Sequence, residues 1–193
     1  MPRVAAVVLA AGRSVRFEGT KLLAQVGTVP LLRIVVETVV SAVDSVVVVL
    51  GHDAEQVRTA LSGLPVKSVV NPRYAEGMGT SVAAGVSALP NDIDAVLIAL
   101  GDQPVRAEVI TELIVAYGHG QPSIVAPAYN GVRGNPVLFD RSLFHELETL
   151  TGDRGARDLI GRHQRLAMII PFGFPAPLDV DTQDDFQKLL RQW

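Results

Sequence analysis

The stretch VAAVVLAAGRSVRFEGTK, residues 4–21, joins a short apolar run to a glycine-containing turn. Residues 4–9 are small, apolar and partly β-branched, which is typical of a buried strand in a parallel sheet. Ala10, Ala11 and Gly12 then leave little side-chain bulk, so backbone N–H groups can approach an anionic ligand closely. The pattern predicts a turn that binds phosphate.

Three basic side chains add charge to this turn: Arg13, Arg16 and Lys21. An Arg guanidinium can bind phosphate oxygens through two parallel hydrogen bonds, and a Lys amine is a mobile charge suited to a departing pyrophosphate. The alternative is an ordinary turn between a strand and a helix, with solvated basic residues. The turn contains neither a G-x-G-x-x-G fingerprint nor the Gly-Lys-Ser/Thr ending of a P-loop.

The composition indicates one α/β domain over residues 1–193, because 48% hydrophobic and 19% charged residues at this length suit a single substantial core. A net charge of −3 argues against general binding to nucleic acid or to an anionic membrane. The absence of Cys excludes disulfides, thiolate metal ligands and a thiol nucleophile. We therefore predict a cytoplasmic protein with neither a nucleic-acid nor a membrane partner.

Apolar segments alternate with segments of helical periodicity along most of the chain. We predict strands at 4–9, 46–50, 66–70, 95–100, 123–127, 135–139 and 166–171, and helices at 34–42, 54–61, 81–88, 107–117 and 184–190. This order predicts an α/β fold with a mostly parallel twisted sheet flanked by helices. Ligands of such sheets bind beyond the carboxyl ends of the strands, so we expect the chemistry just after Leu9, Leu50, Val70 and Leu100.

Carboxylates follow two of the apolar segments. Asp102 comes just after the predicted strand 95–100, and Asp179 and Asp181 follow an apolar segment near the carboxyl terminus. Mg²⁺ prefers oxygen ligands and usually takes one or two protein carboxylates together with substrate phosphates, which Asp102 with Asp181 would satisfy. The alternative for each is a turn or a helix cap, with Asp181 or Thr182 starting the last helix.

Six segments in a fixed order resemble the nucleotidyltransferases that attach a nucleotide to molybdopterin. They are LAAGRSVRFEGTKLL (9–23), Asn71 with GMGTS (77–81), GDQP (101–104), RGNP (133–136), GDRGAR (152–157) and DVDT (179–182). Within this group, the sequence most resembles the molybdenum cofactor cytidylyltransferases. Its first loop has Ala-Ala-Gly where guanylyltransferases usually have Ala-Gly-Gly, and it has Gly-Asp-Gln-Pro where they usually have Gly-Asp-Met-Pro. The family commonly has Gly directly after the residue at Phe17, whereas here Glu18 intervenes and Gly19 follows.

The resemblance implies a Rossmann-like, dinucleotide-binding-like fold of the nucleotide-diphospho-sugar transferase type. It implies transfer of CMP from CTP to the terminal phosphate of molybdenum-molybdopterin, with release of pyrophosphate. Asp102 and Asp181 would hold Mg²⁺, and the implied catalytic residues are Lys21, Arg16 and Asp102. The residues implied to bind the nucleotide are Leu9, Ala10, Ala11, Gly12, Arg13, Lys21, Asn71, Ser81 and Gln103. For Gln103, a role in specifying the base and a structural hydrogen bond both stay open.

The second half of the chain is implied to bind the acceptor. Arg133, Asn135 and Arg157 would supply polar and cationic groups beside Gly134 and Gly155. The alternative for residues 133–136 is a hairpin turn, and the alternative for Arg157 is a surface position on a helix.

Two other functions stay open. One is a related small nucleotidyltransferase that uses GTP or another phosphorylated acceptor, because a fold does not determine a substrate. The other is a non-enzymatic carrier that hands molybdopterin to a molybdenum hydroxylase, which is also a transient partner under the leading hypothesis. A carrier has no need of two carboxylates that converge on a triphosphate.

Overall fold

The computed structural model describes residues 2–120, 122–153 and 156–192. Its strands are β1 (Val4–Ala10), β2 (Gln25–Val26), β3 (Val29–Pro30), β4 (Ser45–Leu50), β5 (Lys67–Val70), β6 (Ala95–Leu100), β7 (Ile124–Tyr129), β8 (Val132–Arg133), β9 (Val137–Asp140) and β10 (Ala167–Phe172). Its α-helices are α1 (Leu31–Val40), α2 (Ala54–Ala60), α3 (Met78–Val86), α4 (Ala107–Gly120), α5 (Phe144–Glu148), α6 (Ala156–Arg162) and α7 (Gln183–Gln192).

The main sheet has the order β10-β7-β9-β6-β1-β4-β5, with β8 paired to β7. Strand β1 lies between β6 and β4 and is parallel to both, in a register that pairs Leu9 with Leu100 and with Val49. Strand β9 is antiparallel to β6 and β7. The predicted mostly parallel sheet flanked by helices is confirmed, with β9 and β8 as its antiparallel members.

The sheet has a hydrophobic layer on each face because alternate residues of a strand point to opposite sides. Val4, Ala6 and Val8 of β1 belong to the layer that contains residues of α1 and α4. Val7 belongs to the opposite layer, with residues of α3, α5 and α6. Within the described residues, every helix is too short or too polar to cross a lipid bilayer.

A third cluster connects the phosphate-binding turn to the end of the chain. It consists of Phe17, Val26, Leu31, Val180, Phe186 and Leu189. The rings of Phe17 and Phe186 meet edge to face, with centroids 6.0 Å apart. This packing holds α7 and the segment before it against the turn after β1.

Most predicted elements agree with the structure to within a few residues, and two differ in informative ways. Helix α3 begins at Met78 instead of residue 81, because the glycines of GMGTS suggested a loop whereas Gly79 lies inside the helix. The predicted strand 135–139 is β9, displaced to Val137–Asp140 after Pro136, which has no N–H to donate to a neighbouring strand. The β2–β3 hairpin and helices α5 and α6 were not predicted.

Candidate active site

A cavity of about 610 Å³ opens at the carboxyl edge of the sheet. It is lined by residues that follow β1, β5 and β6, as the topology predicted. The prediction is wrong for the segment directly after Leu50, which does not line the cavity. Gly51 lies behind the wall instead, in close contact with Ala11 and Tyr74. The contact is so close that a methyl group at Gly51 would approach the Tyr74 ring to 2.7 Å.

The turn after β1 forms one wall of this cavity. Its predicted nucleotide-binding and catalytic residues line the cavity together: Leu9, Ala10, Ala11, Gly12, Arg13, Arg16 and Lys21. Ser14 organises the turn, since its backbone oxygen accepts from Phe17 N at 2.9 Å and its hydroxyl oxygen accepts from Lys21 N at 3.2 Å. Gly19 has a φ of +87°, so the glycine that follows Glu18 occupies the left-handed conformation in this turn.

The extended segment 179–181 brings two carboxylates to the end of β6. Val180 is buried, and its N–H donates to Asp102 O at 3.3 Å. Because alternate side chains of an extended segment share a side, Asp179 and Asp181 both face away from the core. The sequence singled out Asp102 and Asp181 as metal ligands, and the structure adds Asp179, which this alternation could have indicated.

The three carboxylates form a compact cluster. One oxygen from each of Asp102, Asp179 and Asp181 lies within 4.8 Å of the other two. Such an all-oxygen set suits a hard divalent cation such as Mg²⁺ or Mn²⁺, whose charge would offset three adjacent negative groups. The chemistry of the donor set therefore fits a metal at the predicted position.

Two cations neutralise part of this charge. Lys21 Nζ lies 2.5 Å from Asp102 Oδ2 and 3.0 Å from Asp181 Oδ1. Arg16 Nη2 lies 2.6 Å from Asp181 Oδ2, with 70% of the Arg16 side chain exposed. The structure thus brings together all three residues predicted to be catalytic, although their positions span much of the first hundred residues.

The electrostatic environment shifts two ionisations. Burial alone would lower the pKa of Lys21, but the adjacent Asp102 and Asp181 outweigh it, so the net pKa is raised and the amine stays charged. Burial, reinforced by repulsion from Asp102 and Asp181, raises the pKa of Asp179. The cluster therefore contains more negative charge than its protein cations compensate, which favours a further cation.

The helix-cap alternative is resolved in favour of Thr182. Thr182 N donates to Asp185 Oδ2 at 3.1 Å, and Asp185 N donates back to Thr182 Oγ1 at 3.2 Å. This reciprocal pair is a capping box at the start of α7. Asp181 is left free of the cap and pairs with Lys21 and Arg16.

Asn71 and Ser81 occupy different positions relative to the cavity. Ser81 lines it. Asn71 does not: its buried amide donates to Thr80 Oγ1 at 2.9 Å and Ser81 Oγ at 3.0 Å, and its oxygen accepts from Arg73 N at 2.9 Å. Asn71 therefore orients the first turn of α3 and does not itself line the cavity.

The predicted acceptor residues line a second cavity of about 470 Å³. Arg133, Asn135 and Arg157 all lie on its wall, together with Gln103. Gln103, which was predicted to bind the nucleotide, does not line the first cavity. Of the GDRGAR segment, Arg154 and Gly155 lie outside the described residues.

The two cavities share a boundary, formed by Leu9, Met78, Leu100 and Asp153. Asp153 lies on both walls; it belongs to the GDRGAR segment but was not among the predicted site residues. Gly77 holds the loop that contains Asp153 close to α3. A methyl group at Gly77 would fall 2.2 Å from the carbonyl carbon of Gly152, and Gly77 has a φ of +116° that only glycine adopts easily.

The MobA-like NTP transferase domain matches residues 6–166 of this sequence. The chain belongs to that family. It is 32% identical over 202 residues to nicotine blue oxidoreductase of Paenarthrobacter nicotinovorans, covering 98% of both chains. The predicted resemblance to this family is confirmed, and fold and family together support a transferase.

Solved structures of related proteins have the same fold. Rv0371c of Mycobacterium tuberculosis H37Rv superimposes with a TM-score of 0.87 at 30% identity, covering 98% of each chain. Its complex with manganese gives a TM-score of 0.85 at 29% identity, covering 99% of this chain and 100% of that one. Mth528, a nucleotidyl transferase from Methanothermobacter thermautotroptrophicus, gives 0.81 at 25% identity, covering 100% and 98%.

Proposed function

We propose that this protein transfers CMP from CTP to the terminal phosphate of molybdenum-molybdopterin, forming the cytosine dinucleotide and pyrophosphate. The observation that supports this most strongly is the convergence of Asp102, Asp179 and Asp181 with Lys21 beside a turn built to hold phosphates. The family supports a nucleotidyltransferase, and the cytidylyl and molybdopterin specificities are our proposal.

The proposed reaction needs no covalent intermediate on the protein. An oxygen of the acceptor phosphate attacks the α-phosphorus of CTP, a new P–O bond forms, and the bond to the β-phosphate oxygen breaks. The electron pair leaves with pyrophosphate. Positioning and neutralisation of the developing charge can carry such a transfer. Lys21 and the backbone of residues 10–12 would meet the triphosphate, and Arg16 would add charge at the cavity mouth.

A divalent cation belongs to this proposal. The carboxylates Asp102, Asp179 and Asp181 would hold it, and when bound it would neutralise triphosphate charge. We propose Mg²⁺ as the cation in use, and the manganese complex of Rv0371c is consistent with a divalent metal in this fold.

Cytidine specificity rests on the first loop. Ala11 lines the nucleotide cavity at the position where guanylyltransferases usually have Gly. The acceptor would occupy the second cavity, where Arg133 and Arg157 can receive a phosphate. Delivery of the product to a molybdenum hydroxylase and a cytoplasmic location remain predictions.

A second candidate comes from the relative named nicotine blue oxidoreductase, which matches along nearly the whole chain. If this chain were an oxidoreductase, the nucleotide cavity would bind a reduced nicotinamide dinucleotide. A cluster of three carboxylates beside a phosphate-binding turn would then have no role in the chemistry, since hydride transfer needs no triphosphate metal site. The geometry therefore favours the transferase.

The experiment is incubation of the protein with Mg²⁺, molybdenum-molybdopterin and each nucleoside triphosphate in turn, with pyrophosphate and dinucleotide assayed separately. We expect both products with CTP, in equal amounts, and far less with GTP. Preference for GTP would favour the related guanylyl activity. Binding of molybdopterin without pyrophosphate release would favour the carrier, and oxidation of NADH or NADPH by an added acceptor dye would favour the oxidoreductase.

A further inference from the structure

The boundary between the two cavities is mostly apolar. Of the described residues that line both cavities, Leu9, Leu100 and Met78 are apolar and only Asp153 is charged. Charged side chains lie on either side of this boundary, with the carboxylate cluster and its cations in the first cavity and two arginines in the second. An apolar strip therefore separates two charged regions.

Leu9 and Leu100 form the fixed part of this strip. They are paired in the parallel register of β1 with β6, at the carboxyl ends of the two strands. Paired residues of neighbouring strands point to the same face of a sheet, so the two aliphatic side chains lie side by side. Both are partly buried, which leaves part of each side chain on the cavity wall.

Met78 is the more exposed part of the strip. It is the first residue of α3, and 46% of it is exposed. The backbone beside it is held firmly, because Gly79 N donates to Gly152 O at 2.8 Å and a methyl group at Gly79 would lie 2.8 Å from the backbone of Thr151. An unbranched side chain on a fixed backbone can adapt to ligands in either cavity.

The transfer reaction has to take place at this boundary. The acceptor oxygen and the α-phosphorus must approach to about 3–3.5 Å, so the two bound substrates meet where the cavities join. Water is the competing nucleophile. Its oxygen would bond to the α-phosphorus as the bond to the β-phosphate oxygen breaks, and a proton would pass to solvent, giving a free nucleoside monophosphate and pyrophosphate. An ordered water needs about two to four polar partners, which apolar side chains do not supply.

We infer that Met78 is a specificity-determining residue that, with Leu9 and Leu100, disfavours water at the α-phosphorus and so favours transfer over hydrolysis. This inference rests on the transfer reaction of the proposed function but not on the identity of the base. A polar side chain at residue 78 should therefore change the ratio of the two products, whether or not it changes the total rate of pyrophosphate release.

The test is incubation of the protein with Mg²⁺, molybdenum-molybdopterin and each nucleoside triphosphate in turn, labelled at the α-phosphate. The measured quantity is the ratio of free nucleoside monophosphate to dinucleotide. We expect Met78→Ser to raise this ratio by about tenfold or more, because its hydroxyl can hold a water where an apolar group stood. Met78→Leu keeps the apolar surface and should leave the ratio unchanged.

Met168→Ser is the matched control. Met168 is 38% exposed on β10 and lines neither cavity, so the ratio should stay at the wild-type value. General damage to the fold lowers both products together and does not move the ratio. An unchanged ratio in Met78→Ser would overturn the inference, as would an equal rise in Met78→Leu or in Met168→Ser.

The same measurement separates this inference from the proposed function. If GTP is used instead of CTP and the ratio responds as expected, the cytidylyl assignment fails and the role of Met78 stands. If CTP yields the dinucleotide and Met78→Ser leaves the ratio unchanged, the proposed function stands and the role of Met78 fails. If the wild-type protein releases pyrophosphate from none of the triphosphates, both fail.

Discussion

Lys21 and Asp102 form a short ion pair, with Nζ and Oδ2 2.5 Å apart and only 12% and 17% of their side chains exposed. Asp181 accepts from the same amine at 3.0 Å. One ammonium group therefore separates two carboxylates that would otherwise repel each other with little solvent to screen them.

We predict that Lys21→Met destabilises the protein in the presence of EDTA by roughly 1–3 kcal/mol, because it leaves two partly buried carboxylates without their shared cation. Mg²⁺ or Mn²⁺ should restore much of this stability by supplying the missing charge. Thermal unfolding with EDTA and with each cation measures both effects. Lys188→Met, which breaks an exposed pair with Asp185, is the control and should show little change in either condition. Equal destabilisation of the Lys21 variant with and without cation would contradict the prediction.

A second prediction concerns the acceptor site. Arg157 lines the second cavity and not the first, so Arg157→Ala should raise the KM for the acceptor by about tenfold while the affinity for CTP changes little. Steady-state kinetics at saturating CTP, with equilibrium binding of CTP measured in parallel, separate the two effects. Arg165→Ala, a change of the same type outside this cavity, serves as the control. Weakened CTP binding with an unchanged acceptor KM would place the acceptor elsewhere.

The third prediction concerns the close contact at Gly77. Gly77→Ala should lower the free energy of unfolding by about 1–3 kcal/mol, because its positive φ is strained for any other residue and the added methyl group would meet Gly152. Chemical denaturation measures the change. Gly161→Ala provides the contrast: it lies in α6 with nothing within 4 Å of the added carbon, so it should be neutral or stabilising by up to about 1 kcal/mol. Similar effects in the two variants would remove the steric argument.

The local features of this fold were predictable from the sequence. The buried strand 95–100 was predicted with its observed bounds because six consecutive apolar residues are bounded by charged or turn-forming ones. The Asn130-Gly131 pair is typical of a tight hairpin turn, and both residues have the positive φ values of such a turn. These features depend only on neighbouring residues.

The long-range features were not predictable in the same way. Asp102 and Asp181 were proposed together as metal ligands, but their separation in the sequence could not establish that they meet. In the structure, the contact between Phe17 and Phe186 packs α7 against the turn after β1, which no spacing in the sequence reveals. Gln103 was associated with the nucleotide through the resemblance of its GDQP motif, yet it lines the other cavity. Adjacent residues after a strand face different sides, so a shared motif does not imply a shared pocket.

The fourth prediction is a pH dependence of α7. The hydrogen bond from the Thr182 side chain, assisted by Lys188, lowers the pKa of Asp185 from an ordinary 3.8 to about 2. Because the folded-state pKa lies below the unfolded value, the ionised Asp185 contributes stability that is fully present above pH 4 and is lost as the pH falls toward 2. The difference in Tm between wild type and Asp185→Asn should be visible at pH 5 and should disappear near pH 2. A constant difference across this range would contradict the capping role.

The central claim is that the cluster around Asp102 catalyses displacement at the α-phosphorus of CTP. Asp102→Asn should retain the fold and lower turnover by about a hundredfold or more, because the cluster loses charge where the triphosphate must be neutralised. Asp184→Asn removes an exposed carboxylate from α7 and should keep wild-type turnover.

The most direct measurement uses CTP labelled at its α-phosphate, together with Mg²⁺ and molybdenum-molybdopterin, and follows where the label goes. We predict that the label appears in the dinucleotide and never in pyrophosphate, at a rate that collapses in Asp102→Asn and is unchanged in Asp184→Asn. Label that remains in CTP with wild-type protein, or transfer that proceeds equally well in Asp102→Asn, would contradict the account.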